Sequence, residues 1–287
     1  MTTAPTPNAA QIDYWNAAAG KTWAQFQEQL DRQIEPLGLE AMRILAPMPG
    51  QSILDVGCGC GQTSMELAVR VGASGSVLGV DISLPMLEVA HRRLIAHPLG
   101  GLEFRQADAQ SADLGAQVFD AVYSRFGVMF FSDPVAAFVN IRRCLKRGGR
   151  MVFVCWRPLQ DNPWMQIPFQ AALPLLPPAA PSDPTTPSDP AAPGPFAFAD
   201  PDRVRAILAS AGFSSVSTLA FDTLIGGGDL DETLALTLRI GPLGAALREH
   251  PECKGRVEAA VRNALSMHMT ARGVLMPGAV WIVVADN

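Results

Sequence analysis

Charge is scarce in this chain of 287 residues: Asp, Glu, Lys and Arg together make up 17%, against roughly 25% in an average soluble protein. The 22 basic and 27 acidic residues leave a net charge of −5, which excludes broad electrostatic capture of nucleic acid. No apolar run approaches the ~18 residues that a membrane span requires. Met1 to Asn8 lacks the basic stretch followed by an apolar one that marks a signal peptide, so a cytoplasmic protein is expected. Five cysteines, at positions 58, 60, 144, 155 and 253, are an odd and scattered set, as expected of reduced thiols rather than of a disulfide frame. Only Cys58 and Cys60 lie close together, and no His or further Cys accompanies them, so no metal site is expected.

What the chain has in quantity is apolar residue types, 48% of the total, and 24 prolines. That is enough apolar material for one large α/β domain with a substantial core. The prolines crowd between Pro168 and Pro201, where Pro178, Pro181, Pro184, Pro187, Pro190 and Pro193 recur at every third position. Three residues is the repeat of a polyproline II helix, and the segment from 157 to 200 reads as a stiff surface insertion.

Strands and helices alternate through the first 156 residues. Residues 12 to 46 read as helical, with Trp15, Ala19, Trp23, Phe26 and Leu30 on one face, Gly20 breaking the segment and Thr22 capping its second half. Strands are expected at 52–56, 77–80, 102–105, 119–123 and 151–156. Helices are expected at 63–71 and 85–96, and another starts at Asp133-Pro134 and is ended by Gly148-Gly149. The continuous apolar character of the first strand is that of a strand buried on both faces, so a parallel sheet covered by helices follows. Beyond the proline cluster come a helix at 202–211, a strand at 213–221, an interrupted helical segment at 229–270 and a buried strand at 279–285. With no crossover helix before it, that last strand is expected to run antiparallel to the sixth.

The chemistry is concentrated in Ile53-Leu54-Asp55-Val56-Gly57-Cys58-Gly59-Cys60-Gly61, a strand that runs into three alternating glycines and then a helix. Glycine serves where the chain turns tightly and where a ligand must reach the backbone. Asp81 ends the next strand, where a carboxylate can accept hydrogen bonds from both hydroxyls of a ribose. Together these features read as a nucleoside site at the carboxyl edge of the sheet. The spacing is Gly-x-Gly-x-Gly rather than the Gly-x-Gly-x-x-Gly of dinucleotide sites. Asp55 stands where a pyrophosphate would be repelled, and a carboxylate there suits a cationic ligand such as an ammonium.

These residues resemble the class I S-adenosylmethionine-dependent methyltransferases. The likeness continues through Gly79-Val80-Asp81-Ile82-Ser83, Gln106-Ala107-Asp108-Ala109, Phe119 to Arg125 and Leu145 to Arg150. It is greatest with the small-molecule branch similar to quinone-biosynthesis and natural-product methyltransferases. The resemblance implies an α/β Rossmann-like fold of seven mostly parallel strands with an antiparallel last strand. It also implies an N-terminal helical lid over residues 1–46, a core over 47–221 and 279–287, and a helical acceptor cap over 222–278. S-adenosylmethionine is the implied cofactor and a small molecule the implied acceptor. Gly57, Gly59 and Gly61 would border the methionine and ribose parts, and Asp55 the ammonium. Asp81 would bind the ribose, Ile82 and Met86 would flank the adenine, and Asp108 with Ala109 would meet its amino edge. Ser124 and Arg125 would sit beside the sulfonium and the acceptor, and Tyr14, Trp15 and Trp23 would close the lid.

A general base is hard to find among these residues. Arg125 cannot accept a proton and is expected instead to pair with an anionic oxygen of the acceptor. Asp133 reads as a helix cap, and His91 and His97 fall near the adenine. His268, on the late helical segment with Val257, Val261 and Leu265, is the remaining catalytic candidate beside its reading as a core histidine. A nicotinamide-dependent oxidoreductase and a non-catalytic cofactor-binding partner subunit are the alternative readings. The low surface charge fits either an apolar acceptor pocket or a subunit contact such as a homodimer.

Overall fold

The computed structural model describes residues 8–177 and 192–287. Five of the six regularly spaced prolines, from Pro178 to Pro190, lie outside the described residues.

Two short helices, α1 (Ala9–Asn16) and α2 (Ala18–Gln25), precede the longer α3 (Gln27–Leu45). The breaks fall at Ala17 and Phe26, not at Gly20. Gly20 stays helical and is there for contact: a Cβ on it would lie 1.9 Å from the Trp15 carbonyl oxygen and 2.4 Å from Ser83 Oγ. Thr22 caps nothing either, because its hydroxyl donates to the Ala18 carbonyl within α2, at 2.8 Å. Leu30, Ile34, Leu37, Ala41, Met42 and Leu45 form the buried stripe of α3 at helical spacing.

The alternating segment follows as β1 (Ser52–Val56), α4 (Gln62–Val71), β2 (Ser76–Asp81), α5 (Leu84–Ala96), β3 (Leu102–Gln106), β4 (Phe119–Arg125), α6 (Pro134–Cys144) and β5 (Leu145–Trp156). Asp133 caps α6 by accepting from the Ala136 amide at 2.9 Å. That helix stops at Cys144, and extended chain begins at Leu145, so Gly148 and Gly149 lie inside β5 rather than at the helix end. After α7 (Pro163–Ala172) come α8 (Pro201–Ser210), β6 (Ser215–Gly228), α9 (Leu230–Thr237), α10 (Gly241–Glu249), α11 (Lys254–Ser266), the two-residue β7 (Met269–Thr270) and β8 (Gly273–Asp286).

The sheet runs in the order β3-β2-β1-β4-β5-β8-β6, with β7 paired to β8 at its start. The first five strands in space are parallel, and β8 is antiparallel to both β5 and β6. The seven-strand path with its antiparallel last strand is therefore the observed one, extended by a two-residue eighth strand. The main core fills both faces, with Ile53, Leu54, Val122, Val152, Phe153 and Phe138 at 0% exposure.

The stretch 222–278, expected as a helical acceptor cap, starts within β6 and becomes helical at α9. Strands β6 and β8 pair from Ser215 to Gly228, so the hairpin extends beyond the expected ends, and the cap helices begin only at α9. They share a second core with a helix from inside the proline-rich segment: Ala172 of α7 packs with Leu234, Leu243, Val257, Val261 and Leu265. Asn162 fixes where α7 starts. Fully buried, it accepts from the Ala279 amide at 2.9 Å and donates to the Ala279 carbonyl at 3.1 Å, tying the helix to β8 and satisfying its amide. No helix among the described residues is long and apolar enough to cross a membrane.

Candidate active site

The turn after β1 is shaped by backbone that only glycine adopts without strain. Gly57, Gly59 and Gly61 all have positive φ, at 70°, 54° and 84°. The amides of Gly57 and Cys58 donate to the Val80 carbonyl at 2.8 and 3.1 Å, which seats the turn on the end of β2. Asp81 is clamped at that end: Oδ2 accepts from the Gly59 amide and Oδ1 from the Ser83 amide, both at 2.8 Å. Each carboxylate oxygen keeps lone-pair capacity for a further donor, and Asp81 lines the cavity. Burial raises its pKa, against the pull of those amides.

That cavity, of about 390 Å³, lies at the carboxyl edge of the sheet, within the size range of small-molecule sites. Tyr14, Trp15 and Trp23 from the N-terminal helices, Gly57, Asp81, Ile82 and Met86 around the turn, and Asp108, Ala109 and Arg125 all line it. Helix α1 is fastened to the segment after β2. Ser83 Oγ donates to the Trp15 carbonyl at 2.7 Å, and Asn16 donates to the Ile82 carbonyl and accepts from the Leu84 amide, each at 2.9 Å. At the other end of α1, Asn8 donates to Asp108 Oδ1 at 3.3 Å and accepts from the Ser132 amide at 3.2 Å. Asp108 also accepts from the Gln110 amide at 3.0 Å, so its carboxylate is shared between shaping its own turn and facing the cavity.

Other expected site residues stand behind the wall. Asp55 is fully buried and accepts from Thr63 Oγ1 and Ser64 Oγ at 2.6 Å each. It therefore braces the first turn of α4 rather than meeting an ammonium. Its Oδ1 has no partner, and burial pushes its pKa up to about 6 in spite of the two hydroxyls and the field of Arg125. Ser124 is also fully buried, its hydroxyl accepting from the Gly127 amide at 3.2 Å, and it does not line the cavity. Gly61 faces Phe104 and Ala90, which a Cβ would meet at 2.7 and 3.0 Å, so its place is in packing α4. Gly59 contributes its amide to Asp81. Neither glycine lines the cavity, nor does His268, which is half-exposed beyond the end of α11 while Val257, Val261 and Leu265 take the core. Burial pushes the Cys60 thiol up to about 12 and raises that of Cys58. Among the described residues no three His, Cys, Asp or Glu side chains converge as a metal set.

Arg125 reaches the cavity already engaged. It donates to Gln62 Oε1 at 2.6 Å and to Asp31 Oδ1 at 3.2 Å, and a Cβ on Gly38 would lie 2.9 Å from its Cδ. The next residue, Phe126, has a φ of 65°, a strained value for a bulky side chain. Its ring stacks on Trp156 at 4.2 Å with an 11° interplanar angle, and Trp156 meets Trp164 at 5.1 Å. These aromatic residues, with Met165, Phe196 and the α10 residues Gly241, Ala245 and Arg248, line the other half of the cavity. Asp31, Asn8, Phe126, Trp156, Trp164 and Arg248 carry no motif in the sequence. Only the Arg125-Phe126-Gly127 corner after β4 marks the place where one of them would be found.

The groups present suit S-adenosylmethionine. A clamped carboxylate lines the cavity with capacity to accept from hydroxyls, and a glycine turn passes so close to the β4 loop that a Cβ on Gly57 would lie 2.6 Å from Gly127 Cα. Comparison with known proteins agrees. Residues 54–153 match the methyltransferase domain family. The aklanonic acid methyltransferase DauC of Streptomyces sp. (strain C5) is 33% identical over 118 residues, 41% of this chain and 54% of that protein. A demethylmenaquinone methyltransferase of Lactococcus lactis subsp. lactis (strain IL1403) is 35% identical over 115 residues, 40% of this chain and 46% of that protein. The chain thus spans about half the length of the curated relatives it matches. In fold, the crystal structure of YcgJ from Bacillus subtilis superposes with a TM-score of 0.56 at 17% identity, covering 88% of this chain and 98% of that one. The [4+2]-cyclase SpnF does so with a TM-score of 0.56 at 16% identity, covering 98% and 97%. Site and comparisons together identify residues 54–153 as an S-adenosylmethionine-dependent methyltransferase domain.

Proposed function

We propose that this protein transfers a methyl group from S-adenosylmethionine to a small, largely apolar acceptor. The observation that carries the proposal is the continuity of one cavity, from the Asp81 and Gly57 cradle to the aromatic wall of Phe126, Trp156 and Trp164. Nucleoside and acceptor can therefore lie in contact. Asp81 is the residue to hold the ribose, Ile82 and Met86 are placed to flank the base, and Gly57 lets the backbone approach. The bound sulfonium supplies an activated methyl group with a good leaving group. What the protein contributes is alignment and the exclusion of water: the lid of Tyr14, Trp15 and Trp23 covers one side and the cap residues Gly241 and Ala245 another. The relatives named for aklanonic acid and demethylmenaquinone support a small-molecule acceptor over nicotinamide chemistry.

Calorimetric titration with S-adenosylhomocysteine tests this reading, with reduced nicotinamide dinucleotide as the comparison ligand. Saturable binding of the former is expected, weakened on the order of a hundredfold by Asp81→Ala, which removes hydrogen bonds to a charged acceptor. Saturation by the nicotinamide ligand alone would refute it.

A further inference from the structure

We propose that the acceptor is a flat aromatic compound that arrives already ionised, its ring held by Phe126, Trp156 and Trp164 and its negative oxygen by Arg248. This rests on the methyl-transfer reading above and adds the chemical class of the acceptor.

The ring platform is preorganised. Phe126 is held at positive φ and lies parallel to Trp156, and the indole N–H of Trp164 donates to Asn162 Oδ1 at 3.3 Å, which sets its tilt. Aromatic side chains fixed in this way favour a planar partner over a flexible chain.

The charges in the wall are unevenly placed. Its carboxylates, Asp81 and Asp108, belong to the nucleoside half, and the acceptor half has the guanidiniums of Arg125 and Arg248. Asp31 already compensates Arg125, at 3.2 Å. Arg248 is different. It shares one face of α10 with Gly241 and Ala245, all three on the cavity. Among the described residues it has no carboxylate within 4.0 Å, and its hydrogen bond is to the Arg239 carbonyl at 3.3 Å. Arg248 is solvent-exposed at the edge of the apolar cavity, and with no acidic partner it is available to take an anionic ligand.

The proton balance points the same way. Among the described residues the wall has no His, Lys, Cys or Glu, and its two aspartates, Asp81 and Asp108, lie in the nucleoside half, so a neutral hydroxyl or ammonium in the acceptor half would have no base beside it to take its proton. A carboxylate or an acidic enol or phenol in its ionised form needs none. A lone pair on its anionic oxygen forms the new bond to the methyl carbon as the carbon–sulfur bond breaks, and that bonding pair stays on sulfur. One anion and one cation become two neutral products, and no proton moves. Opposite charges attract more strongly and are neutralised more readily in an apolar enclosure than in water, so the apolar wall favours this chemistry.

The test uses the full chain, with and without S-adenosylhomocysteine, and three probes of one shape: naphthoate, neutral naphthamide and naphthylmethylammonium. Binding is read by calorimetry and by quenching of tryptophan fluorescence. Naphthoate is expected to bind at least about tenfold more tightly than the other two, a difference typical of one charge-assisted contact. Arg248→Gln should remove that preference while leaving naphthamide affinity unchanged, and Arg248→Lys should restore part of it. Equal binding of the neutral or cationic probe, or an equal loss for all probes in Arg248→Gln, would overturn the proposal. Failure of S-adenosylhomocysteine to bind would instead count against the methyl-transfer reading, since the charge preference is also measured without it.

Discussion

Asp31 on α3 and Arg125 at the end of β4 form an ion pair at 3.2 Å, with their side chains only 13% and 11% exposed. Asp31 also accepts from Arg93 at 2.9 Å, and Arg93 in turn donates to the Cys60 carbonyl at 3.0 Å. Arg125 holds Gln62 at the first turn of α4. One carboxylate therefore connects the glycine turn to the tip of β4, the two edges between which donor and acceptor would meet. Asp31→Asn leaves two partly buried guanidiniums uncompensated, and a loss of about 2–4 kcal/mol is expected in urea unfolding. Adding Arg125→Gln should cost less than the sum of the single changes. Additivity to within about 0.5 kcal/mol would show that the pair is not coupled.

Gly57 and Gly72 have similar φ, at 70° and 67°, but different surroundings. A Cβ on Gly72 would meet nothing within 4 Å, whereas one on Gly57 would lie 2.6 Å from Gly127 Cα. With ψ at −174°, Gly72 lies in a region essentially reserved for glycine, and Gly72→Ala should cost that conformational strain alone, about 1–3 kcal/mol. Gly57→Ala has to separate two backbone segments as well, and should destabilise by about 3 kcal/mol or more while weakening nucleotide binding. Equal midpoints for the two variants in urea would argue against that close approach.

The glycine turn and Asp81 were legible because their chemistry is local: a strand, a turn needing positive φ and the acid ending the next strand lie within about one βαβ unit. Asp31 was not, since its partners Arg93 and Arg125 are 62 and 94 residues away and a single acid on an amphipathic helix reads as solvated. Helix α7 was hidden by Pro163 and Pro168. The first sits at the start of the helix, where no amide is needed, and the second is inside it but buried. Arg248 also lies on a helix whose facing is decided by how the cap docks, which no local pattern encodes. Asp55 and Ser124 were placed near the ligand by their positions at strand ends, and in the fold both are fully buried and off the cavity wall.

Asn16 ties α1 to the segment after β2 through one side chain, which satisfies both the Ile82 carbonyl and the Leu84 amide at 2.9 Å. Ile82 itself lines the cavity. Asn16→Ala should loosen α1 over the nucleoside half, raising the dissociation rate of S-adenosylhomocysteine by roughly three- to tenfold, the worth of one or two hydrogen bonds. Helix α3 is anchored in the core by Leu30, Ile34 and Leu37, so the unfolding midpoint should shift little. Stopped-flow release rates equal to those of the parent protein would exclude a lid role for this contact.

Asp55 makes a prediction about pH. Its folded-state pKa is raised from 3.8 to about 6, chiefly by burial, so the native state holds the proton more tightly than the unfolded chain does. Its contribution to stability is therefore fully present below the unfolded value, declines as pH rises through the folded value, and is level above that. Across this window the decline amounts to about 3 kcal/mol. Asp55→Asn retains a side-chain oxygen to accept from Thr63 or Ser64 but does not titrate. Whatever fixed cost the exchange carries, the stability of the parent relative to the variant should fall between pH 4 and pH 7, because other titrating groups are common to both proteins. Urea midpoints at four or five pH values measure it. A difference independent of pH, or one that grows toward neutrality, would mean that Asp55 is ionised in the fold throughout this range and that Thr63 and Ser64 outweigh its burial.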